Sequence, residues 1–272
     1  MNGDGSAVTG RPAVQRDCPT LGVLGGLGPA AGVEFLRLFT DSWPATRDQD
    51  HPRVLLLSEP AIPDRTAALR GVGPDPTPYL SEALNQLAVW GADLLAVPCN
   101  TAFAFIDESS AAIPVPIVHT VAVTLDAAQV CAPTGAWLLA TDGCLISGGY
   151  QRRADERSYP VREPNPGAAR RIHECIEMAK AGRLADATRL FDEVLDALPD
   201  AWPPLLACTE LSLIRPLSRH RRPSVDSTQV LAAECVRRLR QGRRVSEGCA
   251  VDPSSGRRAW PGRGRRLDGR AR

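Results

Sequence analysis

Short apolar runs that end in glycine or small polar residues recur along the chain, and helix-like stretches follow them. The first run, Leu21–Leu24, leads into the glycine-rich segment Gly25–Gly28, and a helix is predicted from Pro29 to about Thr40. Proline suits a first helical turn, where its missing N–H is not needed. A short run that is apolar at every position is typical of a strand buried on both faces. The opening of the chain therefore predicts a strand, a tight loop and a helix.

The same pattern continues and then restarts. Strands are predicted at Arg53–Ser58, Leu94–Val97, Val115–Val118, Gly135–Ala140 and Leu205–Ala207, and helices at Pro78–Trp90, from about Ala102, at Arg170–Ala181, Leu184–Leu198 and Gln229–Arg240. The distance from Leu24 to Cys99 is 75 residues, and that from Leu139 to Cys208 is 69 residues. This weak internal repeat predicts an α/β fold with two similar halves.

We expect two Rossmann-like α/β domains with mainly parallel sheets, related by a pseudo-twofold axis, with the active-site cleft between them. Open parallel sheets bind ligands at the carboxyl ends of their strands, which places the site there. The predicted boundaries are a disordered segment at 1–20, a first domain at 21–125 plus 226–241, a second domain at 126–225, and a disordered Arg-rich tail at 242–272.

Composition excludes several classes of protein. Hydrophobic residues make up 43% and charged residues 23%, and no apolar run approaches the roughly 20 residues that span a bilayer. The first 20 residues have no apolar segment of the kind found in secretory signals. The eight cysteines form no CxxC pair and no metal-ligand cluster. We therefore expect a cytoplasmic protein with free thiols, no metal and no membrane partner.

Charge is distributed unevenly. The segment from Gly242 to Arg272 carries nine arginines against three acidic residues, but its only aromatic residue is Trp260. It predicts a disordered extension, and no nucleic-acid partner is expected. Of the 32 basic residues only Lys180 is a lysine, which suggests a position that requires a compact ammonium group.

Two cysteines occupy matching settings. Cys99 follows the apolar run 94–97, and Cys208 follows 205–207; each precedes a small polar residue and a helix-like stretch. A thiol at a helix N-terminus is stabilised as the thiolate by the helix dipole and free N–H groups. Two such thiols on opposite sides of one cleft could invert the configuration of an acidic carbon. One would remove the proton as a base, and the other would return a proton to the opposite face as an acid. Buried, inert cysteines are the alternative.

Inversion next to a carboxylate also requires groups that stabilise the negative charge of the deprotonated intermediate. Asn100, Thr101 and Thr209 offer hydrogen-bond donors beside the two cysteines. A second carboxylate on the substrate would need cations, for which Arg65 offers a planar fork and Lys180 a point charge.

Seven segments together resemble the cofactor-independent aspartate/glutamate racemases, and the aspartate racemase branch most of all. They occur in family order between about Leu21 and Arg240. They are Gly25-Gly-Leu-Gly-Pro29, Arg47-Asp-Gln-Asp-His-Pro52, Ile62-Pro-Asp-Arg-Thr66, Pro98-Cys-Asn-Thr-Ala102, Leu138-Leu-Ala-Thr-Asp-Gly143, Ala179-Lys-Ala-Gly182 and Cys208-Thr-Glu210.

The resemblance implies a racemase or epimerase of an acidic amino acid, without cofactor, that acts on a small anionic substrate as a homodimer. It implies that Cys99 and Cys208 are the catalytic thiols and that Arg65 and Lys180 hold the substrate side-chain carboxylate. The remaining contacts that it implies lie at Asn100, Thr101, Thr209 and Gly26.

Several positions depart from the family pattern. Phe103 stands where the family usually has histidine, Cys144 where it usually has threonine, and Ile176 where the aspartate branch has tyrosine. These changes predict a less polar pocket and a substrate other than plain aspartate. Phe103 and Cys144 are therefore further candidates to line the cleft.

Glu210 is ambiguous, because it could orient a base near Cys208 or cap the following helix. The glycine-rich loop lacks the third glycine of a dinucleotide fingerprint, so NAD is not expected. Two other functions stay open. One is an isomerase or decarboxylase reaction on an unsaturated or malonate-type diacid, and the other is a non-catalytic ligand-binding homologue.

Overall fold

The computed structural model describes residues 19–248, and two parallel sheets organise this part of the chain. The first sheet has the strand order β2-β1-β3-β4 and the second the order β6-β5-β7-β8. The strands are β1 (Leu21–Gly25), β2 (Val54–Ser58), β3 (Leu94–Ala96), β4 (Ile117–Val118), β5 (Ala136–Ala140), β6 (Val161–Arg162), β7 (Pro204–Ala207) and β8 (Val225–Asp226).

Helices connect successive strands and cover both faces of each sheet. They are α1 (Pro29–Ser42), α2 (Arg65–Leu69), α3 (Thr77–Val89), α4 (Phe103–Ser109), α5 (Thr120–Cys131), α6 (Asp142–Ser147), α7 (Gly149–Glu156), α8 (Pro166–Lys180), α9 (Leu184–Ala197), α10 (Thr209–Ile214) and α11 (Ser227–Gly248). Pro29 opens α1 as predicted. Asn165 caps α8, because its side chain accepts a hydrogen bond from Ala168 N at 3.0 Å.

The two sheets repeat one topology. In each, the first strand of the half pairs with the second and third strands, and the fourth pairs with the third; every pairing is parallel. Strand β3 is therefore equivalent to β7, and β1 is equivalent to β5. The α/β fold with two similar halves, predicted from the repeat, is confirmed.

Alternation along the central strands distributes side chains between separate cores. In β3, Leu94 and Ala96 join the cluster beneath α1 and α11, whereas Leu95 joins a cluster that continues into the second half. In β7, Leu205 belongs to that shared cluster, and Leu206 packs against α8 and α9. The central cluster joins the two halves through apolar contacts, which fixes them against each other.

The predicted boundaries need amendment at the edges. Thr20 is buried and donates its backbone N–H to Asp93 Oδ2 at 2.7 Å, so it is not part of a disordered segment. Residues 242–248, which were predicted to belong to the disordered tail, are instead the last residues of helix α11. Residues 1–18 and 249–272, where the rest of both predicted disordered segments falls, lie outside the described residues. The division at 125 and 126 stays a prediction, and α5 runs across it.

Helix α11 packs mainly against α1 and α5, as expected for a segment that returns to the first half. Among residues 19–248, no helix combines the length and apolarity needed to cross a membrane.

Candidate active site

A cavity lies where the carboxyl ends of β1, β3, β5 and β7 approach one another. Its lining contains two thiols, two cations, two carboxylates and several hydroxyl or amide groups. The residues are Leu27, Asp64, Arg65, Thr66, Cys99, Asn100, Thr101, Thr141, Lys180, Ala207, Cys208, Thr209 and Glu210. The topology thus brings residues from both halves into one site, at the place where parallel sheets bind ligands.

The two cysteines occupy equivalent positions, as the repeat predicted. Cys99 follows β3 and Cys208 follows β7, and both line the cavity although each is more than 90% buried. Cys208 is the N-cap residue of α10. Cys99 is not at a helix N-cap, because a turn over residues 100–102 separates it from α4, whose N-cap is Ala102. The expectation of a helix start directly after each cysteine therefore holds for Cys208 alone.

The charge state of Cys208 differs from the expectation of a stabilised thiolate. Burial and the nearby negative charge of Glu210 raise the pKa of Cys208 well above its ordinary value, although Lys180 opposes the shift. Its Sγ–H donates to Glu210 Oε2 at 3.0 Å. At the short helix α10, these two effects outweigh the stabilisation that a helix N-terminus gives to a thiolate.

Arg65 lies at the start of α2, and its guanidinium faces inward. Its Nη1 donates to Ile62 O at 3.1 Å and Pro63 O at 3.0 Å, and its Nη2 donates to Leu27 O at 2.9 Å. Its buried Nε has no hydrogen-bond partner among the described residues. The carbonyl contacts fix the orientation of the guanidinium without neutralising its charge, so it can still attract an anion.

Lys180 ends α8 and lies on the opposite half from Arg65. Its Nζ donates to Glu177 Oε1 at 2.8 Å. Burial lowers the pKa of Lys180, but the hydrogen bond with Glu177 and the negative charges of Glu210 and Cys208 outweigh burial, so the net shift is upward. The only lysine of the chain is therefore a cation that faces the cavity.

Hydrogen bonds, two of which reach the second half, hold the polar residues of the first half. Asn100 Oδ1 accepts from Tyr150 Oη at 2.7 Å, and Asn100 Nδ2 donates to Ser227 Oγ at 3.0 Å. The hydroxyls of Thr101 and Thr141 are 3.0 Å apart. Asn100 keeps one amide hydrogen that neither bond uses, and it is held in a fixed orientation.

The sequence analysis did not identify Thr141 or Tyr150 as residues of the site. Thr141 caps α6 by accepting from Cys144 N at 3.1 Å, and it also lines the cavity. Thr141 lies in the segment 138–143, which is one of the seven segments that resemble the racemase family, and this resemblance could have identified it. Tyr150 is fully buried on α7, a helix that the sequence pattern did not predict.

Three candidates do not line the cavity. Gly26 instead lies against the backbone of Glu59 and Pro60, since a Cβ at this position would come within 2.4 Å of Glu59 N. Phe103 stacks on His119, with ring centroids 4.4 Å apart, and lines a separate pocket of about 260 Å³. Cys144 is buried behind Thr141; burial and the proximity of Cys99 raise its pKa to about 12. Ile176 also lies outside the cavity lining, because its side chain belongs to the apolar core beneath α8.

The cavity is small. Its volume is about 20 Å³, which accommodates about one water molecule. Contacts between α2 and α6 close one side: Gly143 packs directly on Thr66, and an ion pair joins Arg70 to Asp142. This volume does not hold an amino acid, so the lining has to move when one binds.

In the described part of the chain, no three His, Cys, Asp or Glu side chains come together as a metal-binding group. The residues that meet in the cavity are instead thiols, hydroxyls, an amide and opposite charges.

Comparison with known proteins identifies relatives of this chain. The family model described as Asp/Glu/Hydantoin racemase matches residues 24–235. The broad specificity amino-acid racemase RacX of Bacillus subtilis is 25% identical over 224 residues, which cover 79% of this chain and 96% of that protein.

Solved structures show the same fold. The aspartate racemase of Picrophilus torridus superposes with a TM-score of 0.75 at 25% identity, over 84% of this chain and 98% of that chain. The glutamate racemase of Thermus thermophilus, whose structure contains β-chloro-D-alanine, gives a TM-score of 0.61 at 19% identity, over 88% and 85% of the two chains.

Proposed function

The chain belongs to the Asp/Glu/hydantoin racemase family, and from this premise we propose that it inverts the α-carbon of an acidic amino acid by proton transfer between two thiols. The family establishes the reaction class, an isomerase that racemises amino acids. One observation carries the finer proposal: Cys99 and Cys208, at equivalent strand ends of the two halves, line the same cavity.

The proposed reaction has two proton transfers. One cysteine, as thiolate, takes the α-proton from one face of the substrate, and the electron pair of the broken C–H bond delocalises into the α-carboxylate. The other cysteine, as thiol, donates its proton to the opposite face. The two sulfurs exchange protonation states in each turnover, so no atom is gained or lost.

The negative charge on the α-carboxylate requires hydrogen-bond donors that are already in place. The free amide hydrogen of Asn100 is available at the cavity. The hydroxyls of Thr101 and Thr209 also line it, and they would have to turn from Thr141 and Glu210 to donate to the substrate. Tyr150 and Ser227 keep Asn100 in one orientation, which limits the reorganisation needed when the charge develops.

Arg65 and Lys180 support an acidic substrate. Both line the cavity, one from each half, and a side-chain carboxylate between them would be attracted from both sides. Binding would then favour closure, because the substrate contacts both halves at once.

A second candidate is racemisation of a wider range of amino acids, as the name of the Bacillus subtilis relative states for that protein. One contact favours it. Lys180 is already paired with the carboxylate of Glu177, so a substrate side-chain carboxylate is not needed to satisfy this cation.

The diacid isomerase or decarboxylase alternative depended on polar groups lost at Phe103 and Ile176. Neither side chain lines the cavity, so this observation no longer supports a changed reaction or a less polar pocket.

The test is to incubate each enantiomer of aspartate, glutamate and a panel of neutral and basic amino acids in D₂O. Proton NMR follows loss of the α-proton, and circular dichroism follows inversion. We expect both with the acidic amino acids. Faster turnover of neutral or basic amino acids would favour the second candidate, and no exchange with any amino acid would contradict both.

The variants Cys99→Ser and Cys208→Ser should each reduce inversion by at least about 10³-fold, because a serine hydroxyl does not ionise at neutral pH. The control is Cys131→Ser, since Cys131 is exposed at the end of α5 and outside the cavity. It should keep full activity.

A further inference from the structure

Lys180 lies at the boundary between the cavity and the solvent. It is the last residue of α8, it lines the cavity, and its side chain is 32% exposed. Glu177 lies one turn earlier on the same helix, outside the cavity lining, and its Oε1 accepts a hydrogen bond from Lys180 Nζ at 2.8 Å. The ammonium group therefore faces the cavity on one side and a carboxylate of its own helix on the other.

The ion pair of Lys180 with Glu177 differs from an ordinary exposed pair between neighbouring turns of a helix, which contributes little. Burial lowers the pKa of Lys180, but the hydrogen bond with Glu177 and the negative charges of Glu210 and Cys208 raise it by more. The same ammonium group thus interacts with a charge outside the cavity and with charges inside it. The charge of Glu177 therefore affects how strongly Lys180 attracts a ligand in the cavity.

Arg65, the other cation of the cavity, is held differently. Among the described residues, its hydrogen bonds go to three backbone carbonyls, which orient the guanidinium without offsetting its charge. Lys180, by contrast, uses one of its three N–H donors on the carboxylate of Glu177. The two cations are therefore unequal, because a carboxylate of the protein already offsets the charge of Lys180 before a substrate binds.

Glu177 also changes the balance of charge around the cavity. Arg65 and Lys180 are accompanied by two carboxylates in the lining, those of Asp64 and Glu210, and Glu177 adds a third beside them. A substrate with a second carboxylate is thus attracted less strongly than two cations alone would attract it. A substrate with an uncharged side chain, in turn, does not leave Lys180 as a partly buried cation without a partner.

We propose that Glu177 is a specificity-determining residue, which supplies Lys180 with a carboxylate of the protein's own and so extends the site to amino acids with uncharged side chains. This inference rests on the proposed function and leaves its proton transfers unchanged. An acidic substrate has to share the ammonium group with Glu177, whereas a neutral substrate leaves the pair intact. Selectivity then depends on the charge of a residue outside the cavity lining.

The first experiment compares Glu177→Gln with the wild type at one fixed pH and low salt. Glutamine keeps an oxygen that can accept the hydrogen bond from Lys180 but carries no charge. The ratio of kcat/KM for aspartate or glutamate, whichever reacts faster, to kcat/KM for alanine should rise about three- to fivefold, the size expected for a partly exposed pair of charges. The change should lie in KM, with kcat unaltered. An unchanged or lower ratio would overturn the proposal.

Salt distinguishes the charge of Glu177 from its shape. The gain in Glu177→Gln should shrink as the salt concentration increases, because screening weakens the attraction between Lys180 and the substrate carboxylate. A gain of the same size at low and high salt would point to repacking of α8 and would contradict an electrostatic role.

Glu174→Gln is the matched control. Glu174 is also exposed on α8, so the change removes the same charge from the same helix, but Glu174 is not among the groups that raise the pKa of Lys180. The substrate ratio should stay at the wild-type value. An equal rise in both variants would mean that the total charge of the helix matters and that Glu177 has no specific role.

Binding without turnover separates this inference from the proposed function. Isothermal titration calorimetry compares succinate, which has two carboxylates, with butyrate, which has one on a chain of the same length. Glu177→Gln should tighten the binding of succinate relative to butyrate about three- to fivefold. If this shift occurs in a protein that inverts no amino acid, the proposed function fails and the role of Glu177 stands. If the protein is a racemase and neither the substrate ratio nor the binding ratio changes, only the inference about Glu177 fails.

Discussion

Tyr150 donates a hydrogen bond to Asn100 Oδ1 at 2.7 Å, and this bond links helix α7 of one half to the loop after β3 of the other. Tyr150 is fully buried, and Asn100 is 5% exposed. The bond therefore fixes an amide at the proposed site and also joins the two halves.

Removal of this hydroxyl should affect both stability and activity. Tyr150→Phe leaves Asn100 Oδ1 buried without its donor, which should lower the free energy of unfolding by about 1–3 kcal/mol. Because Asn100 can then reorient, kcat should also fall. Urea unfolding and racemisation kinetics measure the two effects.

Tyr159→Phe is the matched control. Tyr159 is also buried, but its hydroxyl donates to Ala128 O and Ala132 O, away from the cavity. We expect a similar loss of stability with unchanged kcat. Equal kinetic losses in the two variants would show that Tyr150 contributes only to stability.

The contact between Gly143 and Thr66 should control closure. A Cβ at Gly143 would lie 2.5 Å from Thr66 Oγ1 and 2.9 Å from Thr66 Cα, so Gly143→Ala should hold α2 away from α6. Catalysis needs residues of both halves to contact the substrate together, so kcat/KM should fall at least about tenfold. Steady-state kinetics with the preferred amino acid measures this.

The comparison for Gly143→Ala is Gly149→Ala. Gly149 is also in a helix, and the nearest atom to an added Cβ, Oγ of the nearby Ser147, is 3.6 Å away. This change should preserve activity. If Gly143→Ala were as active as Gly149→Ala, close packing of α2 on α6 would not be required for turnover.

The ion pair between Arg70 and Asp142 spans the same contact and is partly exposed to solvent. Arg70→Gln should therefore change the free energy of unfolding by less than about 1 kcal/mol. Its loss should raise KM moderately by weakening closure, and the difference from wild type should shrink as salt concentration increases.

Arg37→Gln provides the comparison for Arg70, because Arg37 forms exposed ion pairs within α1 with Glu34 and Asp41. It should leave KM unchanged at every salt concentration. An equal rise of KM in both variants would indicate a general charge effect rather than weaker closure.

Asp226 should make stability depend on pH. Burial raises its pKa despite hydrogen bonds from Ser212, Thr228 and Gln229. Its contribution is therefore fully favourable below the unfolded pKa of about 4 and is lost as pH rises through the higher folded value.

Asp226→Asn tests this dependence. All three hydrogen bonds go to Oδ1, which asparagine also possesses. The stability of the variant relative to wild type should increase from acid toward neutral pH in urea unfolding. A relative stability that fell as pH rose would mean that the carboxylate is favourable in the folded state.

Much of the fold could be predicted because its central strands are apolar at nearly every position. Strands β1, β3, β5 and β7, and the equivalence of Cys99 with Cys208, followed from short apolar runs and the repeat. Helices α5 to α7 were not predicted. Gly148, with a φ of 64°, separates two short helices there, and the charged sequence of α7 obscures the burial of Tyr150.

The site was predictable in its residue types but not in its contacts. Cys99, Cys208, Arg65 and Lys180 do share a cavity, yet the protonation of Cys208 depends on burial and on Glu210, which local sequence does not specify. Phe103 was misplaced for a similar reason: α4 turns its side chain toward His119 and away from the thiols.

A cavity that accommodates about one water molecule also has a practical consequence for finding inhibitors. A screen for compounds that fit this small cavity would reject every amino acid, including the substrate. A search should instead favour small dipolar ions that bind while the cavity lining is displaced and gain affinity as the lining closes around them. Slow onset of inhibition, followed by slow release, would be the kinetic mark of such a compound.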